Sequence, residues 1–233
     1  MISRRHPLSR TATNGYRNRS FAGQALAERL SHRASDENLL ILALPRGGVP
    51  VATEIAQSLG APLDVFVVRK VGLPQQPEVA MGAIATGDVQ LLDEQLINEA
   101  HIPADIVAQR IRAERSELAR REALYRNGRP PLEIANRSII LVDDGVATGY
   151  TMRVAILALR QLNPGRLTVA VPVGAPETCE DIESLVDEFI CPIRPYPFHA
   201  VGLWYDHFPS ISDEEVKNSL AGANRISVEP HDA

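Results

Sequence analysis

The sequence predicts an α/β domain built on a doubly wound, mainly parallel sheet, with a small C-terminal hood. Three observations carry this expectation. Short apolar or mostly apolar runs (LLILAL at 39–44, LDVFVV at 63–68, SIILV at 138–142, RLTVAV at 166–171) read as strands, the continuous 39–44 run as one buried on both faces. Stretches with helical spacing alternate with them, so that strand, helix and strand follow one another within 39–68. The 233 residues, 45% of them hydrophobic, supply the core of one domain of ordinary size.

In chain order, residues 1–20 hold no Asp or Glu, but carry Arg4, Arg5, Arg10, Arg17 and Arg19. Such a start is arginine-rich like an organellar transit peptide, yet it lacks the apolar face of one, and 1–15 reads as a flexible tail. The run FAGQALAERL, 21–30, places Phe21, Ala25 and Leu26 on one helical face. After the 39–44 strand, 49–60 reads as a helix ending at Gly60, and 63–68 as the second strand. Residues 71–90, rich in Gly and Pro, read as a loop or ragged hairpin. Segment 103–127 has the spacing of a long helix, with Ile106, Ile111, Leu118 and Leu124 near one face and a solvated face holding Arg110–Glu114 and Glu117–Arg121 pairs. Strand 138–142, helix 151–162, strand 166–171, helix 176–186 and a short strand 187–190 complete the alternation. The domain is expected to span 16–220, with an aromatic-rich hood over about 191–220 and a second flexible tail over 221–233.

Composition narrows the function. No run reaches the ~18 apolar residues of a membrane span. The balance of 24 basic against 29 acidic residues, net −5, argues against a nucleic-acid coat. Two cysteines, Cys179 and Cys191, are too few for a disulfide framework, and no secretory h-region precedes them, so a cytoplasmic protein is expected. Only Lys70 and Lys217 are lysines. One lysine kept inside an apolar segment marks Lys70 as a candidate, against the plain alternative of a surface lysine that escaped replacement.

The segment Ile139–Thr151 carries the chemistry. An apolar strand ends in Asp143 and Asp144, followed by the small-residue loop Gly145, Val146, Ala147, Thr148, Gly149, and then Thr151 at a helix start. Small residues let backbone N–H groups approach an anion, the helix terminus adds its dipole, and Thr148 and Thr151 can donate to phosphate oxygens. The two carboxylates would repel that phosphate, so they suit neighbouring sugar hydroxyls or hydrated Mg²⁺. A helix-capping aspartate before a glycine turn would explain one Asp and one Gly, but not this whole combination.

In this segment the chain resembles the type I phosphoribosyltransferases, and the match runs the whole length of their phosphoribosyl diphosphate signature. The wider order of elements agrees over 16–220, most closely with a broad bacterial group known only by that general name. The resemblance implies that Asp143 and Asp144 hold the ribose hydroxyls and that Gly145 to Thr151 hold the 5-phosphate. It implies that Pro45-Arg46-Gly47-Gly48, directly after the first strand, holds the pyrophosphate, Arg46 being a bidentate donor. Lys70, at the end of the second strand, would stand near that pyrophosphate. Segment 71–90 would cover the site, with Glu78 either an acid or base or a solvent-facing residue. Mg²⁺ would enter through substrate, water and one of Asp143 or Asp144 rather than a direct protein site. Related 6-oxopurine enzymes carry Asp where this chain has Ala147, which disfavours hypoxanthine-guanine salvage.

Trp204 and Tyr205 suit either stacking on an acceptor base or packing the tail onto the core. The expectation is a Mg²⁺-dependent phosphoribosyltransferase with an unidentified acceptor. A non-catalytic regulator binding phosphoribosyl diphosphate or a nucleotide through the same fold is the alternative, and phosphorolysis or hydrolysis of a sugar phosphate a weaker one. Helix 103–127 and the hood are available for a homodimer.

Overall fold

The computed structural model describes residues 15–226, with side chains through 223. The elements are α1 (Arg19–Arg29), β1 (Leu39–Ala43), α2 (Gly48–Leu59), β2 (Leu63–Val65), β3 (Val68–Gly72), β4 (Ala80–Ala85), β5 (Val89–Leu92), α3 (Glu94–Glu99), α4 (Ala104–Arg126), β6 (Ser138–Val142), α5 (Tyr150–Gln161), β7 (Arg166–Ala170), α6 (Pro176–Glu183), β8 (Glu188–Ile190) and α7 (Asp213–Ile226).

Five strands form a parallel sheet in the order β2-β1-β6-β7-β8. Its central strands bury alternate residues on opposite faces, as the pleat requires. Ile41, Ala43, Ile140 and Val142 enter a core shared with α2, α4 and α7. Leu40, Leu42, Ile139 and Leu141 enter one shared with α5 and α6. Burying each such Leu or Ile contributes ~1.5–3 kcal/mol. The helix after β1 leads outward to β2, whereas the helix after β6 leads the other way to β7. The strand order therefore reverses between β1 and β6, and a crevice opens at their carboxyl ends.

The expected second strand, 63–68, is divided between two sheets. β2 ends at Val65, and Val68 begins β3 in a separate antiparallel sheet, β3-β4-β5. Apart from Asp64 the run is apolar because the chain changes partner without leaving the core. Phe66 and Val67 stay buried while the Phe66 N–H donates to Ala43 O and the Val67 N–H to Thr86 Oγ1. Of the two readings of segment 71–90 the hairpin holds: it is the rest of this antiparallel meander, with a register irregularity at Val71/Gly72 and 73–79 as its open turn. Gly82 belongs in β4, since a Cβ there would lie 2.5 Å from Leu91 O. α3 was not expected.

α1 begins at Arg19, two residues before its expected start, because the Asn18 side chain caps it by accepting from the Phe21 N–H. Its buried face is Ala22, Gly23, Leu26 and Ala27, and Phe21 is exposed. Gly15 already lies against Trp204, so the expected tail 1–15 falls outside the described residues only over 1–14. The expected tail 221–233 begins inside α7, whose Val216, Leu220 and Ala223 complete the first core, and 227–233 lie outside the described residues. The expected hood is thus two structures: an irregular segment, 191–212, packed on Tyr16 and Ala22, and a helix returned to the sheet.

Candidate active site

Register brings the two expected loops together. Ala43 pairs with Val142, and the Leu44 N–H donates to Val142 O at 2.9 Å, so 45–48 and 143–149 leave the sheet side by side. Their contact requires glycine. A Cβ on Gly47 would lie 2.1 Å from Asp144 Oδ2, and one on Gly48 would lie 2.6 Å from Val142 O and 2.9 Å from Asp143 Cα. The Gly48 N–H is already given to Leu44 O, which removes it from the anion donors expected there. Arg46 follows a cis Pro45–Arg46 peptide, and its half-exposed guanidinium is 3.8 Å from Asp213 Oδ1 at the start of α7.

The acidic pair is held from three directions. Asp143 Oδ1 accepts the Asp144 N–H at 2.8 Å. Asp144 Oδ2 accepts Arg19 Nε at 2.8 Å, in a pair only 8% and 14% exposed. Tyr205 donates its hydroxyl to the Asp144 carbonyl at 2.6 Å. Burial, then the neighbouring Asp144 charge, push the Asp143 carboxyl well above the usual carboxylate range. Burial also raises Asp144, and Arg19 opposes that rise without cancelling it. The site is short of positive charge, a condition that ligand donors or a cation would relieve.

The following loop is anchored from behind and open in front. The Val146 N–H donates to Val173 O, Thr178 Oγ1 donates to Ala147 O at 2.6 Å, and Arg153 Nη2 donates to Thr148 O at 2.7 Å. Ala147, Thr148 and Thr151 are exposed, and the N–H groups of Ala147 and Thr148 donate to no described residue. Gly149, at φ 70°, turns the chain into α5 and provides no side-chain cap, leaving the first-turn N–H groups facing this loop. Gly145 is needed for approach, because a Cβ there would meet Val201 at 2.6 Å.

Lys70 lies within β3 rather than at a carboxyl edge of the parallel sheet, because the second strand divides. Its Nζ donates to Glu78 O at 2.9 Å and pairs with Glu78 Oε2 at 3.2 Å across the 73–79 turn, so both candidates of this meander engage each other. The meander does adjoin the site: Tyr150, the first residue of α5, donates its hydroxyl to Gly82 O in β4. Tyr205 is 7% exposed and its ring packs against Tyr16 and Phe208, so it supports Asp144 instead of presenting a stacking face. Trp204 is half-buried in the same aromatic cluster. Arg19, Thr178 and Arg153 were missed by sequence reasoning. Asn18, a helix cap just before Arg19, was the signal available for the first of them.

No group of three or more His, Cys, Asp or Glu able to hold a metal occurs among the described residues, and none of their helices is long and apolar enough to cross a membrane. Rv0571c of Mycobacterium tuberculosis H37Rv and MT0597 of strain CDC 1551 / Oshkosh, both provisionally named phosphoribosyl transferases, are each 41% identical to this chain over 207 residues. That match takes in 89% of this chain and 46% of each relative, so the chain spans about half their length. The crystal structure of TT1426 from Thermus thermophilus is 38% identical with a TM-score of 0.78, over 89% of this chain and 98% of that one. The phosphoribosyl transferase domain family matches residues 16–205, a span containing both site loops, the acidic pair and Tyr205, which supports it, and the chain belongs to that family.

Proposed function

We propose that the protein transfers a phosphoribosyl group from phosphoribosyl diphosphate to an acceptor, with Mg²⁺ and with release of pyrophosphate. One observation carries this reading. The glycine contacts at 47 and 48 bring a basic loop, an acidic pair and an open loop at a helix terminus to one crevice. A ligand with an anion at each end and hydroxyls between them matches that order.

In this reading the 147–149 loop and the first turn of α5 bind the 5-phosphate, with Thr148 and Thr151 donating hydroxyls. Asp143 and Asp144 accept from the ribose hydroxyls and stabilise positive charge as it develops on the sugar. Arg46 and the amides of 46–47, which donate to no described residue, bind the pyrophosphate. Lys70 joins them once it leaves Glu78, an exposed partner that holds it weakly. In the transfer, the bond from the anomeric carbon to the diphosphate oxygen breaks and one to the acceptor's nucleophilic atom forms. The 73–79 turn would exclude water, which otherwise competes for that carbon. Two adjacent carboxylates with a single arginine fit a Mg²⁺ carried on substrate phosphates and water, not a protein cage. When bound, the ion neutralises charge on the leaving pyrophosphate.

The test is pyrophosphate release from phosphoribosyl diphosphate and Mg²⁺ across a panel of nucleobases and other nitrogen nucleophiles. Acceptor-dependent release, lost in Asp143→Asn/Asp144→Asn, supports transfer. Tight binding with no release for any acceptor would favour a regulator instead.

A further inference from the structure

We infer that Arg19 is a positioning residue of this site: by bonding one carboxylate of the pair, it holds Asp144 against Gly47 and fixes the acidic pair in register with the 45–48 loop. The inference rests on the reading of the crevice as a phosphoribosyl diphosphate site. Arg19 comes from α1, far in sequence from either loop, and three contacts determine where its guanidinium lies. Nε donates to Asp144 Oδ2 at 2.8 Å, Nη1 donates to Pro209 O at 2.8 Å, and the group lies 3.7 Å over the Phe208 ring. A lysine could supply the charge but lacks the planar fork that makes both bonds while stacking face-on over the ring. The Gly47 backbone packs against the same carboxylate, an added Cβ there coming closest to Oδ2, so this side chain contacts both α1 and the 45–48 loop.

The clamp is selective. Arg19 takes Oδ2, whereas Asp144 Oδ1 accepts from no side chain of a described residue, which leaves that oxygen for a ligand hydroxyl. The charged and titratable groups facing this pair are few. Asp143 stands beside it, Tyr205 reaches its carbonyl, and Arg46 lies on the adjoining loop. Glu215 of α7 and His207 line, with Arg19, a cavity of about 340 Å³ behind the guanidinium. Arg19 is the one cation among these that bonds the pair.

The test compares wild type, Arg19→Gln, Arg19→Lys, Asp144→Asn and Arg19→Gln/Asp144→Asn by calorimetry with phosphoribosyl diphosphate and Mg²⁺ from about pH 5 to pH 9. Arg19→Gln is expected to weaken binding about tenfold or more. It also moves the acid limb of binding to higher pH, since Asp144 without its counter-charge protonates earlier. Arg19→Lys restores the pH limb but only part of the affinity, and the double variant is no weaker than Asp144→Asn alone. If Arg19→Gln binds like wild type at every pH while Asp144→Asn does not, the positioning role is wrong and the site reading stands. If wild type does not bind, the site reading is wrong, and amide exchange decides the clamp. Lost protection of the Gly48 amide, which donates to Leu44 O, in Arg19→Gln but not in Arg19→Lys supports it, and unchanged protection overturns it.

Discussion

The two ends of the parallel sheet use the same ingredients to opposite effect. At the amino end, Arg33 is 2% exposed and meets two carboxylates, donating Nε to Asp36 Oδ2 and Nη1 to Glu188 Oε2, both at 2.6 Å. The same guanidinium reaches Ser138 at the start of β6 and Thr168 in β7, closing that end across three strands. Burial pushes both carboxyls up, but Arg33 with Ser138 outweighs it at Asp36, and Arg33 with His32 outweighs it at Glu188, so both lie below their usual range. At the carboxyl end Arg19 bonds one carboxylate of the pair, that of Asp144, and both carboxyls lie above the usual range. A charge cluster with its bonds filled holds the fold. One left short of donors is prepared for something that arrives.

The largest expected effect breaks the filled cluster. Arg33→Ala leaves two part-buried carboxylates and the Ser138 and Thr168 hydroxyls without their shared donor and should cost about 3 kcal/mol in denaturant unfolding, the low end for breaking a buried pair, with ligand binding per folded molecule retained. Next, Gly47→Ala drives a methyl into Asp144 and should weaken phosphoribosyl diphosphate binding about 100-fold, since small misplacements in such sites are costly. Circular dichroism should show the fold retained in this variant.

The pH dependences should run in opposite directions. Asp36 and Glu188 are lowered on folding, so their stabilisation is present above the unfolded carboxylate range and is lost as pH falls through their folded values. Asp143 is raised, so its ionisation costs stability above the unfolded range. Asp143→Asn, which keeps the acceptor for the Asp144 N–H, should therefore raise the melting temperature near about pH 7–8 and gain little near about pH 4. The smallest effect belongs to Lys70→Ala, which removes an exposed pair and should change stability by less than about 1 kcal/mol while weakening binding.

What was legible in the sequence was what periodicity and local spacing encode. β1 and β6 stand out because all but Ser138 are apolar, and the 143–151 loop because its residue types are contiguous. What was hidden depended on partners remote in the chain. LDVFVV reads as one strand because burial continues across a change of sheet. Arg19 reads as one more residue of an arginine-rich start because its partner is 125 residues away. Tyr205 reads as a stacking candidate because only the fold shows that its hydroxyl is taken by Asp144.

The central claim is that the 45–48 and 143–151 loops form one phosphoribosyl diphosphate site. The most direct measurement is calorimetric titration of that ligand with and without Mg²⁺, for wild type and Asp143→Asn/Asp144→Asn. Micromolar binding, strengthened by Mg²⁺ and lost in the variant, is the expected result. Binding that survives in the folded variant, or none to folded wild type, would contradict it.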